Sequence, residues 1–507
     1  MEKTEIIETE SGKVQRYIDK GIKIFKGISF AEPPIGDLRF NAPVKKKKWE
    51  GVLDATEFGF FPMQGDEGPL GDAFKQILGL EIQENEDCLS LNIWTSTTDD
   101  KKRPVMMWIY GGTFLVGGSA LPLFDGLALA KRGEVVVVTI NYRVGAFGFL
   151  YIPGITANVG MLDQIAALEW IQENIRAFGG DPNNVTIFGE SAGGCSGITL
   201  LGMPGAKGLF NRVIAQSAPI LQKKTTVKST NDLMNELGVQ PRDIAALQKL
   251  KAEDIIEAQN KVLKEAIESD EGEYMGFRPS IDIEGKTLPI HPLEALKEGN
   301  AKRIDLLIGC NEEEQKMIML DPNLKNLNTE RLESLIASDL KPLNLAHESK
   351  VLIQKYENAR KDLLPINPID IYIAILSDLV FRIPDIHIAE AQSKHNSNVY
   401  FYIFTWPSPL FKGAFHGVEI PFVFGTLDLQ GARYIFGKGA EAKKLSEKTM
   451  DAWIAFARSG NPNHSNIPEW PVYDMEKRAT MMIGKEFKVV NAPFEKERVI
   501  WDELPEI

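Results

Sequence analysis

The segment Val185-Thr-Ile-Phe-Gly-Glu-Ser-Ala-Gly-Gly194 constrains this chain more than any other stretch. A β-branched apolar run ends in G-x-S-x-G, and small residues then open a helix. An apolar run of this length suits a strand buried on both faces. A sharp strand-to-helix turn holds the serine in a strained conformation with its hydroxyl exposed. Gly189 and Gly193 leave room where strand and helix pack closely. The helix N-terminus favours negative charge developing beside Ser191. The five-residue pattern alone arises by chance in turns. The strand before it and the glycine-rich helix start after it make Ser191 a candidate nucleophile.

Further short apolar runs at residues 105–110, 135–141, 213–216, 304–309 and 399–404 read as strands of the same kind. Amphipathic stretches lie between many of them. In residues 161–178, Leu162, Ile165, Ala166, Leu168, Trp170, Ile171 and Ile175 fall largely at helical spacing. Gly179-Gly180 then stops the helix, and Asp181-Pro182 is expected to turn the chain. This alternation predicts an α/β fold, a mostly parallel sheet covered by helices. Residues 223–298 and 321–369 break the pattern and read as helical insertions over or beside the sheet. No Gly-, Ser- or Pro-rich linker and no internal repeat divides the chain, so residues 1–507 read as one domain. The lysine run at 45–48 reads as a solvated loop, since Trp49 and Glu50 end it at once.

Composition excludes several classes. A net charge of −13 argues against nucleic acid, whose phosphates need clustered Lys and Arg. Three widely spaced cysteines, Cys88, Cys195 and Cys310, form no disulfide framework and no zinc motif. The charged start MEKTEIIETESGK has no apolar core, so no signal peptide is expected, and no apolar run is long enough to span a bilayer. A soluble cytoplasmic protein without metal or organic cofactor is the expectation. Nothing in the sequence fixes its oligomeric state; a monomer is compatible.

A serine nucleophile needs a base. The six histidines, at 291, 347, 387, 395, 416 and 464, all follow Ser191. That order excludes triads in which histidine precedes serine and fits Ser…Asp/Glu…His. No HExxH pair exists. His416 leads, in the loop Gly413-Ala-Phe-His-Gly-Val-Glu-Ile-Pro-Phe422 soon after an apolar run. His387 sits in a helical context, His395 and His464 in turns expected to be exposed, and His291 and His347 lack a strand-end setting. A carboxylate should orient the imidazole. The strand-and-loop Ile304-Asp-Leu-Leu-Ile-Gly-Cys-Asn-Glu-Glu-Glu314 offers Glu312, Glu313 and Glu314, and spacing alone does not choose among them. The strand Val105-Met-Met-Trp-Ile-Tyr-Gly-Gly-Thr-Phe114 enters a glycine-rich loop whose amides suit a developing oxyanion, as does the Ala192 amide. It has no G-K-[ST] for phosphates.

These residues resemble the type B carboxylesterases, a family of serine hydrolases with the α/β-hydrolase fold that includes para-nitrobenzyl esterases and cholinesterases. The likeness runs through ordered motifs: Glu86-Asp-Cys-Leu-Ser-Leu-Asn92, Asn158-Val-Gly-Met-Leu-Asp-Gln164, Asn174-Ile-Arg-Ala-Phe-Gly-Gly-Asp-Pro182, Phe188-Gly-Glu-Ser-Ala-Gly193, Ala414-Phe-His-Gly417, Trp453-Ile-Ala-Phe-Ala457 and Pro468-Glu-Trp-Pro-Val-Tyr473. It is weakest across 223–298 and 321–369.

The resemblance implies a carboxylic-ester hydrolase with a Ser191–Glu314–His416 triad. It implies oxyanion amides at Gly112, Thr113 and Ala192, a supporting Ser217, and structural ion pairs Arg39–Glu86 and Arg143–Asp163. The expected reaction is a two-step acyl transfer on a small-molecule ester, with no metal or cofactor. The same scaffold also serves as a non-catalytic adhesion protein, and the same machinery can hydrolyse amides or carbamates. Three departures stand out. Thr113 replaces a small residue in the oxyanion loop and is expected to narrow the site. Gln315 replaces the glycine that usually follows the acid. Cys88 matches a cysteine that is disulfide-bonded in secreted relatives, but its partner region reads Phe60-Phe-Pro-Met-Gln64. From position, Phe114, Ile220, Phe277 and Met319 are expected near the substrate pocket.

Overall fold

Strands with no polar face can be buried only between two layers, and the computed structural model arranges them so. It describes residues 5–66, 71, 72, 75, 76, 79, 81–219, 227–268, 276–282 and 284–504. The main sheet has eleven strands among the described residues: β1 (Tyr17–Asp19), β2 (Ile22–Ser29), β3 (Ser90–Thr95), β4 (Arg103–Ile109), β5 (Val136–Ile140), β6 (Gly180–Glu190), β7 (Arg212–Gln216), β8 (Asp305–Asn311), β9 (Val399–Phe404), β10 (Ala479–Ile483) and β11 (Phe487–Asn491). Across the sheet the order is β11-β10-β9-β8-β7-β6-β4-β5-β3-β2-β1. The stretch from β5 to β10 is parallel. Both flanks pair antiparallel. Every residue of β3, β4, β5 and β9 is buried.

The order contains one reversal. β5 lies on one side of β4 and β6 on the other. Loops leaving the carboxyl ends of β4 and β6 therefore diverge and open a crevice at the sheet edge. The glycine-rich loop follows β4, and Ser191 follows β6. The acid loop after β8 and the His416 loop after β9 reach the same end, because all these strands are parallel.

Seven helices matter below: α1 (Val159–Asn174), α2 (Ala192–Leu201), α3 (Ser349–Arg360), α4 (Pro368–Ser377), α5 (Ile383–Ser393), α6 (Ala440–Ser459) and α7 (Glu495–Asp502). α1 corrects the amphipathic reading, since it buries polar side chains as well as apolar ones. Asp163 pairs with Arg143, and Gln164 donates to Ser196 Oγ at 3.1 Å. A short 3-10 turn, Ile175–Phe178, completes the helical stretch. A second correction concerns Asp181-Pro182, which lie inside β6 instead of in a turn. Proline gives no N–H to a ladder, and β4 shifts register between Arg103 and Val105 opposite it.

Four helices, Lys228–Glu236, Ile244–Gln248, Ala252–Glu268 and Pro292–Lys297, fall within 223–298. Thr329–Leu340 and α3 fall within 321–369. The first group is tied to the sheet layer. Arg39 pairs with Glu86 through Nε–Oε2 at 2.6 Å and donates Nη1 to the Leu250 carbonyl, also at 2.6 Å. Gln259 Oε1 accepts the Ala146 amide at 2.7 Å. The second ion pair implied by the resemblance also forms, with Arg143 forked onto Asp163 at 2.8 and 2.7 Å. All three cysteines are buried and unpaired. Asn141 Nδ2 donates to the carbonyls of both Phe60 and Cys88, so an amide bridges these two segments. No helix among the described residues is long and apolar enough to cross a membrane.

Candidate active site

Ser191 caps α2 with φ 56° and ψ −122°, a backbone that non-glycine residues rarely adopt. Three contacts enforce it. The Ser191 amide donates to Gln216 O at 2.9 Å, Ser191 O accepts the Cys195 amide at 2.8 Å, and Gly193 lies against β4. A Cβ on Gly193 would sit 1.9 Å from Ile109 O, and one on Gly189 would sit 2.6 Å from the Gly193 backbone. Only glycines let strand, turn and helix approach this closely.

His416 arrives from the loop after β9. Its amide donates to Glu314 O at 3.0 Å, and its Nδ1 lies 2.6 Å from Glu314 Oε2. Glu314 is buried, and its Oε1 accepts the Asn311 amide at 2.6 Å and Ser217 Oγ at 2.5 Å. Among the three adjacent glutamates, it is the one that meets the imidazole. Glu313 instead pairs with Lys316 at 2.5 Å. Gln315 has φ −85° and ψ 15°, which any residue can adopt, and its amide donates to Ser377 Oγ at 3.2 Å. Glycine is therefore not required at this position.

The imidazole's other nitrogen faces a group the sequence reading left out. His416 Nε2 lies 3.2 Å from Glu190 Oε1, and no direct hydrogen bond joins it to Ser191 Oγ. Such bonds are often long before substrate binds. Burial pushes the Glu190 carboxyl up to about 8; His416 opposes that rise and the Glu419 and Glu314 carboxylates add to it. Burial disfavours the His416 cation, but Glu190 and Glu314 outweigh it and raise the imidazole to about 10. Glu190 and His416 thus compete for one proton, and base function needs that proton to leave Nε2. Glu419 is buried beside them. It accepts Gln216 Nε2 at 2.9 Å and Asn311 Nδ2 at 2.8 Å, and Trp453 Nε1 donates to Gln216 Oε1 at 3.0 Å. Glu190 was visible as the residue before Ser191, and Glu419 in His-Gly-Val-Glu. Only the fold brings them together.

The loop after β4 passes beside the serine. A Cβ on Gly111 would come within 3.0 Å of Ser191 Cβ. Gly112, Thr113 and Phe114 all have positive φ, at 107°, 57° and 63°. That is costly for a β-branched residue such as Thr113. The amides of Gly112, Thr113 and Ala192 donate to no group among the described residues. Tyr110 and Tyr142 lock the loop's base: their rings stack at 4.4 Å, and each hydroxyl donates to the other's carbonyl at 2.8 and 2.9 Å. The Thr113 side chain is exposed, and its Oγ1 donates to Gly112 O at 2.7 Å.

The four positional guesses for the pocket separate. Phe114 is buried against Phe149, with ring centroids 5.0 Å apart. Phe277 is buried in the core, and Met319 is exposed. Ile220 lies outside the described residues. The remaining histidines are elsewhere. Nδ1 of His291 accepts the Leu293 amide at a helix start, and His395 is exposed. His464 is half-buried, against expectation, with Nε2 3.2 Å from the Lys448 carbonyl.

The motifs and the geometry agree with what comparison with known proteins finds. A sequence model of the carboxylesterase family matches residues 3–501. The chain belongs to that family, and it is a serine carboxylesterase, a carboxylic-ester hydrolase of the α/β-hydrolase fold. It is 38% identical to the para-nitrobenzyl esterase of Bacillus subtilis (strain 168), over 97% of this chain and 98% of that one. It is 32% identical to carboxylesterase 1E of Rattus norvegicus, over 98% and 93%. The carboxylesterase of Geobacillus stearothermophilus superposes with a TM-score of 0.83 at 35% identity, covering 98% of this chain and all (100%) of that one.

Proposed function

We propose that Ser191 attacks the ester carbonyl while His416 takes its proton at Nε2, and that Glu314 holds the imidazole in the required tautomer. The amides of Gly112, Thr113 and Ala192 then receive the oxyanion. His416 returns the proton to the leaving alcohol, and water releases the acyl group by the same route. The observation that carries this reading is the continuous chain Ser217–Glu314–His416 at the switch point beside Ser191. Its substrates are small carboxylic esters. Chain 1–507 acts as one catalytic domain, with 223–298 and 321–369 as insertions beside the site. Three buried, unpaired thiols favour a reducing compartment, the cytoplasm, and cell fractionation tests that.

A fluorophosphonate probe should label the native protein at Ser191 and leave Ser191→Ala unlabelled. Ser191→Ala and His416→Gln should each lower kcat by about 10^4-fold or more. Labelling at another residue, or full activity in Ser191→Ala, would overturn the scheme. Matched ester and amide substrates measure how far amide hydrolysis extends with the same residues.

A further inference from the structure

His416 is held at Nδ1 by Glu314 and faces Glu190 at Nε2, and one more side chain meets its ring. Phe381 packs there with ring centroids 4.7 Å apart and planes inclined by 36°. Phe381 is buried and lies on an unusual piece of backbone. Residues Asp378–Arg382 form a π-helical turn between α4 and α5. Pro384, just inside α5, has no N–H for the Val380 carbonyl, so the helix ladder opens there. Turns of this kind often lie at functional sites.

The turn is pinned from outside by a buried ladder. Arg382, adjacent to Phe381, pairs with Asp378 at 2.5 Å and with Glu497 of α7 at 2.8 Å. Glu497 also pairs with Arg360 of α3 at 2.8 Å. The Arg382 guanidinium lies 4.1 Å from the Phe494 ring centroid at the start of α7. Tyr356 of α3 donates to Asp378 Oδ2 at 2.5 Å and accepts Trp501 Nε1 of α7 at 2.6 Å. Buried ion pairs are poor sources of stability, because desolvation offsets their attraction. Such a ladder can instead fix the register of the backbone that carries it.

We propose that Phe381, set by the Asp378–Arg382–Glu497 ladder, is a positioning residue for His416 and couples the C-terminal helix α7 to the catalytic imidazole. The inference rests on the reading of His416 as the base. An aromatic face against the ring limits its tilt, and with it the directions in which Nε2 can reach nucleophile and leaving group. When His416 takes the proton it becomes a cation, and the aromatic face attracts it. Both contributions bear on the proton transfers at Nε2, so they act on kcat more than on KM.

The test uses the full-length enzyme and p-nitrophenyl acetate. Phe381→Leu keeps volume and removes the ring. It should lower kcat roughly 3- to 10-fold with KM within about twofold, and Phe381→Tyr should rescue it. Glu497→Gln should lower kcat a few-fold alone and add nothing in the Phe381→Leu background. A rise in KM at unchanged kcat would make Phe381 a substrate contact and overturn the proposal. Multiplying effects in the double variant would overturn the coupling to α7. If Phe381→Leu does not fold, Phe381→Met takes its place. His416→Gln separates the two readings. If that variant stays active, the base assignment fails. If it is inactive while Phe381→Leu keeps native kcat, the positioning inference alone fails.

Discussion

Glu190 and His416 face each other across 3.2 Å, and with His416 as the proposed base their competition for a proton predicts the pH response of the site. Glu190 raises the imidazole, so replacing it with neutral glutamine lowers the His416 pKa. The base is then free at lower pH. In Glu190→Gln the acid limb of kcat/KM should move to lower pH, by about one unit or more. A limb that stays in place would mean Glu190 is already neutral where the enzyme works. Thr113 is the other residue to probe. It holds a left-handed backbone in a loop beside the serine, and its branched side chain is exposed. Thr113→Gly keeps the amide and removes the branch. The kcat/KM ratio for bulky over small esters should rise about tenfold, measured on an acyl- and alcohol-size panel. An unchanged ratio would show that the side chain points away from substrate.

The strand–turn–helix unit of β6, Ser191 and α2 depends on glycines for approach, not only for turning. Gly193→Ala would drive a methyl to 1.9 Å from Ile109 O, which belongs to a central strand. A loss of at least about 3 kcal/mol is expected in urea unfolding. Gly202, at the other end of α2, has φ −92° and its nearest neighbours at 3.4 Å. Gly202→Ala should be neutral or stabilise by about 0.4–1 kcal/mol. The sequence announced this unit, because three small residues around a serine after an apolar run have few other uses. It did not announce the π-helical turn of Asp378–Arg382. Pro384 opens the helix ladder locally, but the residues that α3 and α7 bring against Asp378 and Arg382 to pin the turn are encoded by no local pattern.

At the scale of the whole molecule, buried charge and buried sulfur give two further expectations. Arg143 and Asp163 are both buried and forked onto each other. Asp163→Ala strands the guanidinium, so unfolding free energy should fall by about 3–5 kcal/mol, read from denaturant titration. Burial raises all three thiols, Cys195 to about 12, and shields them from solvent. Native protein should therefore give almost no reaction with a disulfide thiol reagent and keep its activity, while unfolded protein titrates three thiols. Reaction of a thiol in the active native enzyme would show that the core opens around it.

The sequence by itself determined six of the eleven strands, a candidate nucleophile, the order serine-before-histidine and, through ordered motifs, the family. Strands buried on both faces need long apolar runs, and the serine turn needs its glycines, so both are written locally. Tertiary structure decided the rest. Spacing alone left three neighbouring glutamates and the resemblance pointed to Glu314; the loops after β8 and β9 bring that carboxylate to His416. Glu190, Glu419 and Phe381 acquired their places only when loops from separate parallel strands met at one end of the sheet. The helix that looked amphipathic in sequence is buried nearly all round because Asp163 and Gln164 find partners inside. A side chain's role at a site depends on what lies within a few ångströms of it, and only the folded chain fixes that.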